Sequence, residues 1–117
     1  MSEAKLMKAS TATVTALLHN HNIDIKTKKD KRLCNLFAEQ LWWLQLSDKS
    51  KLLPSVMKKV TRMWKNHSHV LRTDEERFGP LIRDDAELAS ITDRYDAEMN
   101  AFVQSRQEGK AQSHRKQ

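Results

Sequence analysis

The chain reads His19-Asn20-His21-Asn22 early on and His67-Ser68-His69 near its middle. Imidazoles set so close together first suggest a metal ion or a hydrolytic centre. The spacing argues against both. Residues two apart on an α-helix project about 200° from one another, whereas side chains three or four apart converge on one ligand. Each pair would converge only where its helix had already unwound. A nuclease centre built from His and Asn also needs strands to hold it, and no strand pattern of useful length appears. Both pairs fall near expected helix C-termini, where a protonated imidazole is favoured by roughly 0.3–1 kcal/mol through the helix dipole. Capping and surface duty is the expectation, with no metal and no cofactor.

Other reaction chemistry has even less to work with. The chain has two glycines, Gly79 and Gly109, and no glycine-rich loop that could cradle a phosphate. Cys34 is the only cysteine and falls beside the apolar stripe of a helix, which suits a buried structural thiol better than a nucleophile. A lone cysteine forms no intrachain disulfide and fits a reducing compartment, so a cytoplasmic location is expected. No apolar run approaches the roughly 20 residues of a membrane span, and residues 1–25 lack a signal-peptide layout. A soluble, non-enzymatic protein with no membrane partner is the expectation.

Charge is more informative. The net charge of +6 conceals a segregation. Residues 25–72 carry twelve Lys/Arg against three Asp/Glu, whereas residues 73–108 carry four Arg against ten Asp/Glu. A basic middle beside an acidic third suits either an anionic partner, most often nucleic acid, or mutual attraction of the two regions within or between chains.

Two stretches depart from what stability alone would select. The segment Thr27-Lys28-Lys29-Asp30-Lys31-Arg32 opens a helix, where the dipole favours acidic residues. Lys28, Lys29, Lys31 and Arg32 break that preference, and a phosphate at this helix start would satisfy both the exposed amides and the cations. A solvated lysine cluster is the plainer alternative. Further on, Val56, Val60, Met63 and Trp64 share one face of a helix, and Lys58, Arg62 and Lys65 fall on the opposite face. Such a basic amphipathic helix can lie in a groove or along a phosphate backbone. It can also be an ordinary solvated surface. The linker before it has helix–turn–helix spacing but lacks the small-residue turn of DNA-binding versions.

Trp42 is the remaining anomaly. On its helix it lies about 180° from Leu33, among Lys28, Lys31, Asn35 and Glu39, with Leu46 nearby. A tryptophan on a polar face is covered by another helix or subunit, or exposed for stacking on a base or a partner. Trp42 and Leu46 are therefore candidate contacts for a homodimer or a larger protein partner.

Four helices must position all of this. Helix 1 is expected over about Glu3–His19 with Ser2 as its cap. Helix 2 is expected over Lys28–Leu46, where Thr27 and Asp30 have capping-box spacing and Leu33, Phe37, Leu41 and Leu44 recur at helical period. Helix 3 should start near Lys51 or Pro54 and reach His67 or Leu71. Thr73 and Glu76 again have capping-box spacing, opening a short turn that Gly79-Pro80 ends. Helix 4 is expected over Asp85–Gln107, with Leu88, Ile91, Tyr95, Met99 and Phe102 on one side and Gly109 as its stop. The fold class is all-α: a compact four-helix bundle-like single domain over residues 1–109, followed by a disordered basic tail over 110–117. The function expected of it is nucleic-acid-binding accessory or regulatory work through the phosphate contacts named above. The alternative is a protein-binding adaptor or inhibitor docking on a larger enzyme through Trp42 and Leu46.

Overall fold

The computed structural model describes residues 3–46, 49, 52–73 and 75–115. Five helices follow in order: α1 Glu3–His19, α2 Lys28–Gln45, α3 Pro54–Thr73, α4 Glu75–Asp84 and α5 Ala86–Arg115. Among the described residues there is no strand. Residues 1–2, 47–48, 50–51, 74 and 116–117 lie outside them, as do the side chains of residues 3, 71–73, 75 and 106–115. The expected Ser2 cap, the Thr73–Glu76 capping box and much of the expected tail therefore fall outside what is described.

Capping chemistry sets the ends of the first helices. The His19-Asn20-His21-Asn22 stretch is the C-terminal turn of α1. Asn22 adopts a left-handed conformation at φ 61°, which Asn tolerates better than most residues. The amide of Ile23 donates to the Leu18 carbonyl at 3.1 Å, and that of Asn22 to His19 at 2.9 Å. This pair of bonds is a Schellman motif, completed by Ile23 packing on the same apolar cluster as Leu18. At the start of α2 both halves of the capping box form. Asp30 N donates to the Thr27 hydroxyl at 3.1 Å, and Thr27 N to Asp30 Oδ2 at 3.3 Å. Asp85 caps α5, its Oδ1 accepting from the amides of Glu87 and Leu88.

Three boundaries differ from expectation. Helix α3 runs on to Thr73, so His67 lies in its interior and not at its end. Gly79-Pro80 does not end the fourth segment, because Pro80 sits inside α4. An interior proline costs about 3 kcal/mol, but this short helix buries Phe78 and Leu81, each worth about 1.5–3 kcal/mol. Helix α5 passes Gly109 and carries helical backbone to Arg115, six residues into the expected tail. No glycine has a positive φ, so Gly109 forms no left-handed stop, and in a right-handed helix it costs only about 1 kcal/mol relative to Ala.

Helix α2 is the axis of the fold. It buries Leu33, Leu36 and Phe37 on one side and Trp42 and Trp43 further along, so it is covered on more than one face. Helices α1 and α5 both pack on it, and α3 and α4 pack on α5 and on each other. Two apolar clusters result. One joins Val14, Leu18, Leu33, Phe37, Phe78 and Leu88, drawing on α1, α2, α4 and α5. The other joins Trp42, Trp43, Val60, Tyr95 and Met99, drawing on α2, α3 and α5. The molecule measures 57 × 32 × 24 Å. Its length reflects α5, which at 1.5 Å per residue runs about 45 Å. No helix among the described residues is long and apolar enough to cross a membrane.

Candidate nucleic-acid interface

The histidines are held apart by separate carboxylates. His19 Nδ1 lies 2.9 Å from Asp24 Oδ1, and His21 Nε2 lies 2.8 Å from Asp85 Oδ2. His67 Nε2 lies 2.7 Å from Glu39 Oε2. Among the described residues no three His, Cys, Asp or Glu side chains group as they would around a metal ion. The hydrogen bond from His21, together with the α5 amides, holds the Asp85 carboxyl below its usual range, against burial that raises it. Two neighbouring imidazoles thus serve different ends: His19 stays on its own turn, and His21 ties that turn to the start of α5.

The basic residues are all on the surface. Lys28, Lys29, Lys31, Arg32, Lys58, Arg62 and Lys65 are exposed, and none forms an ion pair with another described residue. Lys28, Lys31 and Arg32 come together along a cleft of about 320 Å³ between α2 and α3, closed on the α3 side by Asn66, His67 and Val70. Its one carboxylate, Glu39, is engaged by His67. An anion there would meet three cations and two Asn amides, those of Asn35 and Asn66. It would not sit over the helix end itself, because the capping box already occupies that turn. Arg77 donates to Asp30 and, as the largest of several hydrogen-bond contributions, holds its carboxyl down at about 2. Lys29 faces away, lining a smaller hollow with Arg32 and Arg77. Lys58, Arg62 and Lys65 stand along the outer face of α3, opposite the buried Val60.

Helix α3 is therefore a basic ridge with a cleft on each side. The second cleft, about 660 Å³, lies between α3 and α5 and is of another kind. Trp64 and Lys65 line one side, Asp93, Asp96 and Asn100 the other, and Gln40, His67 and Tyr95 the base. Thr92 Oγ1 donates to Gln40 Oε1 at 3.0 Å, and Trp64 Nε1 donates to Asp96 Oδ1 at 3.0 Å. Burial, then the charges of Glu39 and Asp96, push the Tyr95 phenol above its ordinary range, so it keeps its proton and can donate.

Trp42 takes the covered alternative. It is 8% exposed and shares the second cluster with Val60 of α3 and Tyr95 of α5. The face of α2 that looked polar is covered there, and Leu46 packs half-buried on the same cluster. Neither offers a broad surface to a second protein; Leu53, at 65%, is the large apolar side chain that stands out. Gln40, Thr92 and Tyr95 were not expected in a site, yet a signal existed. Gln40 interrupts the stripe of Leu33, Phe37 and Leu44, and Thr92 interrupts that of Leu88, Ile91, Tyr95 and Met99. A polar side chain in an apolar stripe must be hydrogen-bonded or functional. No protein-family model, no curated protein and no solved structure matches this chain.

Proposed function

We propose that the protein is a small, non-enzymatic, nucleic-acid-binding accessory protein that holds phosphates with side chains of α2 and α3. The observation that carries this reading is the gathering of Lys28, Lys31 and Arg32 around a cleft whose one carboxylate among the described residues is already paired. Lys58, Arg62 and Lys65, which form no ion pair among the described residues, extend the same positive field along α3. Surfaces of this kind gain affinity by releasing counterions from the phosphate backbone. In this reading the domain is a four-helix bundle of α1, α2, α3 and α5, with α4 as a connector and the basic C-terminal residues as a further phosphate-seeking segment. A cytoplasmic site of action goes with it, supported by the buried free thiol of Cys34.

Replacing Lys58, Arg62 and Lys65 together with Glu tests the reading. Helicity and melting should stay close to wild type, because exposed substitutions shift stability by about 0.5 kcal/mol or less each. Affinity for DNA or RNA at low salt should fall by about a hundredfold or more. In the wild type the logarithm of affinity should decline with log salt by about 0.9 per contacted phosphate on duplex DNA and about 0.7 on a single strand. A native protein that binds no nucleic acid at low salt, or a triple variant that binds as well, overturns the proposal.

A further inference from the structure

We infer that the cleft between α3 and α5 receives an unpaired nucleobase, so that the form of nucleic acid bound is a single strand. This deepens the phosphate-binding reading and rests on it for the source of the base. The argument starts from hydrogen bonds that are not made. Gln40, His67 and Tyr95 are 1%, 4% and 2% exposed. Gln40 Nε2, His67 Nδ1 and the Tyr95 hydroxyl each lack a partner among the described residues. Buried polar atoms are almost always paired, and leaving one unpaired is costly. Their three side chains line one cleft and point to a ligand that, once they turn to admit it, supplies the missing partners.

Their chemistry narrows the ligand. An amide N–H donates, a phenol donates and accepts, and an imidazole whose other nitrogen faces Glu39 presents a nitrogen of either role according to its tautomer. The edge of a nucleobase alternates donors and acceptors in the same way. Trp64 adds an aromatic wall, oriented by its bond to Asp96, and stacking on tryptophan tolerates any base. A phosphate would be out of place here, since Asp93 and Asp96 stand on the rim and Lys65 is the one lysine or arginine in the lining. Lys65 belongs equally to the basic face of α3. A strand whose phosphate rests on Lys65 has its base at the mouth of the cleft. At about 660 Å³ the cavity is within the range of small-molecule sites and has room for a base with its sugar.

The test uses the full chain and two kinds of probe. Adenosine, cytidine, guanosine and uridine are titrated while the Gln40 side-chain amide and the Tyr95 ring are followed by NMR. Single strands of equal length, with bases or fully abasic, are titrated in parallel. At least one nucleoside should shift both signals saturably, and the base-bearing strand should bind about tenfold tighter than the abasic one. Tyr95→Phe, which removes only the hydroxyl that lacks a partner among the described residues, should weaken nucleoside binding about fivefold at a melting temperature no lower than that of the wild type. Lys65→Glu, at the wall of the cleft and on the basic face of α3, should weaken the strand more than it weakens the nucleoside. If no nucleoside moves these signals and the two strands bind equally, the base site is overturned while phosphate binding stands. Nucleoside binding that Tyr95→Phe leaves unaltered overturns it as well. If a nucleoside saturates the cleft but neither strand binds, the base site holds and the nucleic-acid reading falls.

Discussion

The two apolar clusters of this protein are finished differently. Around Val14, Leu18, Leu33, Phe37 and Phe78 the polar groups are closed off. The Schellman turn at Asn22, the capping box at Thr27 and the Asp85 cap all border this cluster, and the Arg77–Asp30 and His21–Asp85 pairs tie its turns to α4 and α5. Around Trp42, Trp43, Tyr95 and Met99 the packing is as tight, yet the polar accounting stays open. Every buried side-chain atom without a partner among the described residues lies in or beside this second cluster: Gln40 Nε2, Trp42 Nε1, Trp43 Nε1, His67 Nδ1 and Tyr95 OH. A chain that satisfies its polar groups at one end shows that its composition permits it. Leaving them open at the other end, beside the two clefts of α3, marks the region where packing has been traded against something else.

The comparison can be broken first at the closed end. Phe37 is fully buried with its ring against Phe78 at 5.9 Å, so Phe37→Ala should lose about 3–5 kcal/mol in urea unfolding. A loss below about 1 kcal/mol would mean that this cluster is loosely packed and that the contrast is false. A smaller effect is expected at its cap. Thr27→Ala removes one half of the capping box and should cost about 1 kcal/mol by the same measurement.

Acid sharpens the contrast further. Asp30 titrates at about 2 in the folded chain, below its ordinary 3.8, so the folded state favours the charged form. Its contribution is complete above about pH 4 to 5 and disappears as pH falls through about 2. Arg77→Met removes the largest cause of that depression. The Asp30 carboxyl followed by NMR should then titrate closer to 3.8, and the stability curve should lose part of its slope between pH 2 and 4. An unmoved midpoint would show that the capping hydrogen bonds, and not Arg77, hold the carboxylate. The smallest effect belongs to the open end. Tyr95→Phe deletes a buried hydroxyl that has no partner among the described residues, so stability should hold or rise by up to about 1 kcal/mol. A loss above about 1.5 kcal/mol would reveal a bond to that oxygen and close the account there too.

Local chemistry was legible in the residues themselves. The all-helical class, the extent of α1 and α2 and the Thr27–Asp30 cap follow from period and capping pattern, which act over three or four residues and need no tertiary context. The exposure of Lys58, Arg62 and Lys65 followed from the same periodicity, since Val56, Val60 and Trp64 claim the opposite face. What crossed between helices was not legible. Pro80 lies inside α4 because Phe78 and Leu81 find a buried face that no local rule foresees. Trp42, on the polar side of its own helix, is buried in a cluster with Val60 of α3 and Tyr95 of α5, and His67 lies inside α3, which continues to Thr73, with its ring paired to Glu39 of α2. The two clefts exist only because α3 lies against both α2 and α5. A helix determines which residues share its face from its own repeat. What that face meets depends on partners distant in the chain, and tertiary packing alone decides it.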